Sequence, residues 1–124
     1  MELPSMEKEF EFNQVDATGK VYKGKFVYKR LSIGDQLRAS AFRTRLNGDV
    51  ANPFPAVDEI SHMISWLQYG IIDSPDWWKE CSGGADLYDD KILRELYKLV
   101  EIYERDFEKK VDSNVKRSRS DSDK

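Results

Sequence analysis

Two segments near the N-terminus alternate polar with aromatic residues. Phe10 and Phe12 lie between charged or polar residues, and Phe26 and Tyr28 lie in a run rich in lysine. A period of two is typical of a strand that buries one face. Residues 17–19, Ala-Thr-Gly, predict a turn between the strands. The pattern predicts a β-hairpin whose aromatic face packs on helices, because a two-stranded hairpin alone is marginal in water.

The aromatic positions also predict a register for this hairpin. Pairing Phe12 with Phe26, and Phe10 with Tyr28, places all of these rings on one face of the sheet. A slip by one residue would mix the two faces, since side chains alternate along a strand. We therefore expect this register, with the opposite face polar and in solvent.

A helix is predicted over residues 33–46. Ser32 and Asp35 have the spacing of a capping box, in which both side chains bond to backbone N–H groups of the first turn. Asn47-Gly48 is typical of a helix end, because glycine readily adopts the left-handed conformation. The apolar positions of this helix are Ile33, Leu37, Ala41, Phe42 and Leu46.

The segment that follows Pro55 has the clearest helical pattern in the chain. Its apolar residues recur with the period of an α-helix, which predicts one face directed into the core. This face consists of Ile60, Met63, Ile64 and Leu67. The sequence therefore predicts a central amphipathic helix.

The other side of the central helix carries His62, Trp66 and Tyr69, where a surface helix usually carries lysine and glutamate. Three arrangements would account for them. The hairpin and a later helix cover this side, the pair Trp77-Trp78 covers it, or it is an exposed binding surface of the kind that aromatic residues mark. We favour a covered face over an exposed one.

A stop and a short helix follow the central helix. Gly70 predicts its end by a left-handed residue, and Ser74-Pro75 before Asp76 predicts the N-cap and first position of a new helix. This short helix carries Trp77 and Trp78. Because neighbours on a helix are 100° apart, we expect one of these tryptophans in the core and the other exposed.

The longest predicted helix begins in the acidic segment 86–90 and ends near Lys110. Its apolar stripe contains Ile92, Leu96, Leu99, Tyr103 and Phe107. The residues after Val111 are polar and carry no aromatic side chain, which favours disorder. The sequence therefore predicts one α+β domain at residues 8–111, an N-terminal hairpin packed on three to four helices, and a disordered polar tail at residues 112–124.

The totals agree with a small folded domain. The chain has 124 residues, 40% hydrophobic and 35% charged, and a formal net charge of −3. That balance gives no general attraction to phosphate backbones. With Cys81 as the single cysteine, no disulfide framework is expected, which favours a cytosolic protein. No segment approaches the ~20 apolar residues of a spanning helix, so we expect no membrane association.

Catalytic and metal chemistry are not expected. His62 is the only histidine, and no third residue completes a Cys-His arrangement with Cys81. Asp86, Asp89 and Asp90 could be read as metal ligands, yet acidic residues also collect at helix N-termini and the spacing of a calcium loop is absent. We therefore predict no enzymatic activity, no metal and no cofactor.

Two basic strips suggest nucleic-acid binding as an alternative. One lies at residues 116–120 of the tail, and nearby aspartates largely offset its charge. The other consists of Lys23, Lys25, Lys29 and Arg30 on the hairpin, where neighbouring glutamates weaken its field. We expect these residues to be solvated and do not expect nucleic acid as a partner.

Three stretches of the chain resemble tail assembly chaperones of long-tailed bacteriophages. They are TGKVYKGKFVYKRLSIGDQLR at 18–38, the central helix with DSPDWW at 73–78, and DLYDDKILRELYKLVEIY at 86–103. Together they cover most of residues 9–107. The resemblance lies in the order and composition of the elements, because the family has no invariant catalytic motif.

The resemblance implies a protein of the host cytoplasm that is not an enzyme. Members of this family bind the tape measure protein and help to recruit tail tube protein subunits, and they are absent from the finished virion. A largely helical, apolar partner can be held by anchors at helical spacing. We predict that Trp66, Tyr69, Trp77 and Trp78 bind this partner; self-association stays open. The alternatives are a structural tail or head-completion protein of the virion, and a small nucleic-acid-binding protein.

Overall fold

The chain forms an antiparallel three-stranded sheet followed by helices, in a computed structural model that describes residues 5–122 and the side chains through residue 116. The sheet order is β1-β2-β3. This confirms the predicted α+β class. The elements are β1 (Glu7–Val15), β2 (Val21–Lys29), α1 (Ile33–Leu46), α2 (Pro55–Gly70), β3 (Ile71–Asp73), α3 (Asp76–Glu80), a short 3₁₀ turn (Ser82–Gly84) and α4 (Asp90–Ser122).

The hairpin forms as predicted, but the predicted register is wrong by two residues. Phe10 lies opposite Phe26, and Phe12 lies opposite Gly24. A shift of two keeps every aromatic side chain on the same face, so the hydrophobic pattern fits both registers equally well. The turn decides between them: the Asp16 N–H donates to the Lys20 carbonyl at 3.0 Å and leaves a three-residue loop.

The Asp16 side chain organises this tight turn. Its Oδ1 accepts hydrogen bonds from the backbone N–H groups of Thr18 and Lys20, at 2.8 and 3.0 Å. Gly19, the last loop residue, has a φ of 89°, which glycine adopts without strain. A three-residue loop that ends in a left-handed residue is a common way to close a hairpin.

The third strand was not predicted from the sequence. β3 has three residues and pairs antiparallel with β2, where Ile71 lies opposite Tyr28 and Asp73 lies opposite Val27. So short an apolar segment gives no periodic signal of its own. The strand forms because the chain leaves α2 directly beside the uncovered edge of β2.

The core lies between the aromatic face of the hairpin, α2 and α4. Its most deeply buried large side chains are Tyr28, Phe26, Leu67, Ile92, Leu96 and Val100. The predicted stripe of α2 supplies Met63, Ile64 and Leu67, while Ile60 is half-buried. The periodic pattern therefore identified the inner faces of both α2 and α4 correctly.

The predicted bounds of α1 are confirmed, and Ser32 caps its first turn by accepting from the Asp35 N–H at 3.1 Å. The Asp35 carboxylate bonds to Arg38 Nη1 at 2.8 Å. The only buried residue of α1 is Ala39, whereas Ile33 and Leu37 are 79% and 68% exposed. The N-terminal part of the apolar stripe thus faces solvent, whereas Phe42 packs against Tyr69 of α2.

Gly70 acts differently from its predicted role. It is the last residue of α2, it is buried, and the left-handed φ expected for it is not observed. A Cβ at this position would lie 2.3 Å from Cε2 of the Tyr28 ring. Glycine is therefore required here for close packing and not for a turn.

The short helix α3 forms, but Pro75 and not Ser74 is its N-cap, and no side chain caps it. Pro75 packs on Gly24 of β2, where a Cβ added to Gly24 would lie 2.6 Å from the Cβ of Pro75. Pro75 therefore lies against β2 at the point where α3 begins.

The long helix α4 continues past its expected end near Lys110 and reaches Ser122. None of its described side chains beyond Phe107 is buried. Residues 123–124 lie outside the described part of the chain. Most helical stability in proteins comes from packing of an apolar face, and this end of α4 has little such packing. The disorder predicted for residues 112–124 stays a prediction.

Candidate functional site

Trp66 joins the sheet to the helices. Its Nε1 donates to the Tyr28 hydroxyl at 2.8 Å, and that hydroxyl donates to Glu104 Oε1 at 2.7 Å. Glu104 Oε2 in turn accepts from Arg30 Nε at 2.7 Å. Burial, followed by the bond to Glu104, raises the pKa of Tyr28. Trp66 is thus half-buried between the hairpin and α4, which is closest to the first of the three predicted arrangements.

A groove of about 400 Å³ opens beside Trp66, between the start of α1 and α4. Leu31 and Gln36 form one wall, and Tyr97 and Val100 of α4 contribute to the other. Charged residues surround it: Arg30, Glu101, Glu104, Arg105 and Glu108. The groove presents an aromatic surface within a rim of both charge signs.

His62 belongs to a polar network between three helices. Its Nδ1 lies 3.2 Å from Arg43 Nη1, and its Nε2 lies 2.9 Å from the Tyr97 hydroxyl. An arginine only donates, so Nδ1 accepts and Nε2 carries the proton of a neutral ring. Burial, then the charge of Arg43, lowers the pKa of His62. This histidine therefore clasps α1, α2 and α4 together.

Asp58 completes the network. It receives two bonds from Arg43, Nε to Oδ1 at 2.7 Å and Nη2 to Oδ2 at 2.5 Å. Asn47 Nδ2 donates to Oδ1 at 2.9 Å. These bonds, that of Arg43 first, lower the pKa of Asp58 to about 2. The groups are linked to one another, so the network serves to join helices and offers no free base.

The four predicted binding residues fall in three separate places. Trp66 contacts Tyr28, and Tyr69 packs edge-on against Phe42 of α1 with ring centroids 6.4 Å apart. Trp77 and Trp78 instead contact the hairpin and each other. The structure therefore does not assemble them into one surface.

Trp78 is the core member of the adjacent pair, as expected for one of the two, and is only 5% exposed. Trp77 is half-buried and not exposed as expected for the other. Its ring lies 5.0 to 6.0 Å from Tyr22, Phe26 and Phe12, and its Nε1 donates to the Lys23 carbonyl at 2.9 Å. The hairpin covers both because α3 lies across its aromatic face.

Two exposed apolar side chains were missed as site candidates. Ile33 and Leu37 are separated by one turn of α1, and Gln36, which lines the groove beside Trp66, precedes Leu37 in the chain. The sequence showed their apolar character. It did not show that Ile33 and Leu37 would lie in solvent, because an apolar stripe shows which side a helix can bury and not whether other elements cover that side.

The remaining candidates have structural partners. Cys81 Sγ donates to the Trp78 carbonyl at 3.4 Å, and burial raises the pKa of the thiol. Asp86 accepts from the Ser82 hydroxyl, Asp89 caps the first turn of α4 through the Lys91 N–H, and Asp90 pairs with Arg94. Among the described residues, no three His, Cys, Asp or Glu side chains are grouped so as to hold a metal ion.

The helices within residues 5–122 include none that is both long and apolar enough to cross a membrane. Comparison of the chain with protein-family models gave no match. Neither the curated proteins nor the solved structures contain a significant match. Function must therefore be argued from the resemblance in sequence and from the surface of the protein itself.

Proposed function

We propose that this chain is a tail assembly chaperone of a long-tailed bacteriophage. In this role it binds the tape measure protein in the host cytoplasm, helps to recruit tail tube subunits and catalyses no reaction. The proposal is supported by the three stretches of sequence resemblance and by the order of the elements that contain them. Proteins of one fold can have many different functions, so the proposal must also rest on a surface that could bind the partner.

The observation that carries the proposal is the exposed apolar face of α1. Ile33 and Leu37 are large aliphatic side chains at positions i and i+4 that the rest of the domain leaves uncovered. Covering them with apolar surface is favourable by ~25 cal/mol per Å². A helical partner presents anchors at the same spacing, and this geometry fits an apolar helix lying along α1.

The groove beside Trp66 lies next to the first turn of α1, since Gln36 lines it. Of the four residues first predicted to bind, Trp66 lines the groove, while Tyr69 and Trp77 are half-buried elsewhere and Trp78 is in the core. We therefore place the partner on Ile33, Leu37 and the exposed part of Trp66. The mixed charges of the rim would favour polar ends on the partner helix.

Co-expression with the tape measure protein tests this surface. Leu37→Glu should lower the amount of tape measure protein that is captured and kept soluble, since a central contact contributes ~2 kcal/mol or more to binding. Val50→Glu is the matched control, because Val50 is 55% exposed and lies in the α1–α2 loop. Equal capture by both variants and the unchanged chain would contradict the proposed surface.

The composition of purified particles separates the proposal from its main alternative. A chaperone is present in infected cells and absent from finished virions, whereas a structural tail or head-completion protein stays in the particle. Mass spectrometry of purified virions measures this directly. Detection of the chain at the copy number of a structural component would overturn the chaperone proposal.

A further inference from the structure

The outer edge of β1 is not paired with another strand in the described part of the chain. β1 pairs with β2 along all nine of its residues, from Glu7 opposite Lys29 to Val15 opposite Val21, without a bulge. On its other side no strand lies beside it within residues 5–122. A long, regular edge strand offers a row of backbone donors and acceptors to another chain.

The hydrogen bonds at the two ends of the hairpin show which residues face this edge. Asp16 donates to the Lys20 carbonyl at 3.0 Å, and Arg30 donates to the Met6 carbonyl at 2.9 Å. Even-numbered residues of β1 therefore point their backbone groups at β2. Because backbone groups alternate in direction along an antiparallel pair, the odd-numbered residues point theirs outward.

Side chains already occupy both ends of the outward row. The Lys91 ammonium donates to the Val15 carbonyl at 2.9 Å, and the Tyr103 hydroxyl donates to the Ser5 carbonyl. The Ser5 hydroxyl bonds to both the N–H and the carbonyl of Glu7. In the described part of the chain, this leaves the outward backbone groups of Glu9, Glu11 and Asn13 without a partner.

An apolar groove of about 420 Å³ lies beside the start of β1, between this strand and α4. Phe10 of β1 and Leu99, Ile102 and Phe107 of α4 provide its apolar lining. Alternate side chains of a strand added next to β1 would point towards α4. The groove can therefore receive apolar side chains from an added strand.

The charges of β1 define the other face of that strand. Glu9 and Glu11 are exposed on the solvent face, and Lys25 of β2 already pairs with Glu9 at 3.3 Å. A second copy paired antiparallel about Glu9 or Glu11 would place glutamate opposite glutamate, which is unfavourable. Lysine or arginine at these positions of the partner would be favourable.

We propose that the free edge of β1 binds an extended segment of another protein that alternates apolar residues with lysine or arginine. The segment pairs antiparallel with β1, its basic residues lie opposite Glu9 and Glu11, and its apolar residues enter the groove against Phe10 and Ile102. This is strand addition to an open sheet edge. It uses neither Ile33 nor Leu37, so it stands without the proposed role in tail assembly.

A simpler explanation of the same residues is that the glutamates serve only to keep β1 from pairing with other strands. Charged side chains on edge strands commonly have that effect. The two explanations differ in what they predict for a basic peptide. If the glutamates bind a partner, the peptide should bind to β1; if they only prevent pairing, it should stay unbound. A blocked peptide that alternates lysine and valine and is long enough to span Glu9 to Asn13 is the probe, and a peptide of the same composition with lysines and valines in separate blocks is its control.

Hydrogen exchange at single residues gives the most direct readout. The amides of Glu9, Glu11 and Asn13 have no partner in the described structure and should exchange fast in the free protein. The alternating peptide should slow them at least ~tenfold, and the block peptide should not. Unchanged exchange at these three amides with the alternating peptide at saturating concentration would overturn the proposal.

Backbone methylation of the peptide tests the pairing itself. In an antiparallel pair, directly opposite residues exchange either both backbone hydrogen bonds or neither, so lysines opposite Glu9 and Glu11 would point their amides at β1. N-methylation of the lysine amides should weaken binding at least ~tenfold, and N-methylation of the valine amides should preserve it. Equal loss with either set, or no loss with either, would rule out this strand pairing.

Variants of the protein complete the test. Glu11→Lys should weaken binding of the alternating peptide, and Glu80→Lys is the matched control because Glu80 is also exposed and lies on α3. Equal affinity of these two variants would count against the charge pairing. The oligomeric state is measured alongside, and a stable dimer that Glu11→Lys dissociates would show that a second copy occupies the edge and would overturn the proposal.

Discussion

The helices α1 and α2 pack against each other and are both amphipathic, yet they meet opposite fates. α2 lies among the sheet, α1 and α4, and even its second side is half-buried through His62, Trp66 and Tyr69. α1 contacts the domain through one side and leaves Ile33 and Leu37 in solvent. An apolar stripe therefore shows which side chains a helix can bury, while the elements that pack around the helix decide which of them are buried.

The largest expected effect comes from matched truncations on the two helices. Leu67 of α2 is 0% exposed, so Leu67→Ala should lower the free energy of unfolding by ~2–5 kcal/mol, since it removes contacts and leaves a cavity. Leu37→Ala on α1 should change it by less than ~0.5 kcal/mol. Urea denaturation measures both. Similar losses for the two variants would mean that α1 is covered in solution, for instance by a second copy.

Glycine replacements on the two helices should also change the free energy of unfolding in opposite directions, by smaller amounts than the leucine truncation in α2. Gly70→Ala in α2 should cost ~1–3 kcal/mol, because the new methyl group would collide with the Tyr28 ring. Gly34→Ala in α1 should stabilise by ~0.5–1 kcal/mol, since alanine favours a helix and the nearest atom belongs to the flexible Arg38 side chain. Thermal unfolding of both variants gives the sign of each effect. Stabilisation by Gly70→Ala would show that α2 ends differently from the structure.

A pH effect should report on the clasp between the helices. His62 has a folded pKa below its ordinary value of 6.5, so the unfolded chain takes up the proton first. Stability that is present above pH 6.5 should therefore decline as the pH falls through the folded pKa. Urea denaturation between about pH 7 and pH 5 measures this decline. His62→Gln should flatten the curve, and an equally steep curve in this variant would assign the decline to other groups.

The smallest effect is expected at the end of α4, where no described side chain beyond Phe107 is buried. Deletion of residues 112–124 should change the free energy of unfolding by less than ~0.5 kcal/mol, because little packing is removed. Limited trypsin digestion of the full chain should cut within this segment before any site in residues 8–30. Earlier cleavage in the hairpin would contradict the predicted domain boundaries.

The candidate site was less predictable than the fold. The aromatic residues between Trp66 and Trp78 were recognised as a cluster in sequence, yet the structure assigns them to a helix junction, to the hairpin face and to the core. Exposure depends on which elements cover a side chain, and those elements come from distant parts of the chain. For the same reason, only the strand order showed that no strand of the described chain pairs with the outer edge of β1.

Local chemistry was sufficient for the elements whose information lies within a few residues. Periodicity and the Ser32 cap determined the limits of α1, the core stripe of α2 and the inner face of α4. The structure was needed to find the hairpin register, which the local turn at residues 17–19 sets, and tertiary contacts alone decided the third strand and the role of Gly70. Two registers share one hydrophobic face, three residues carry no period, and a missing Cβ matters only when the Tyr28 ring approaches within contact distance. The sequence encodes the third strand and the role of Gly70 only through contacts between residues far apart in the chain.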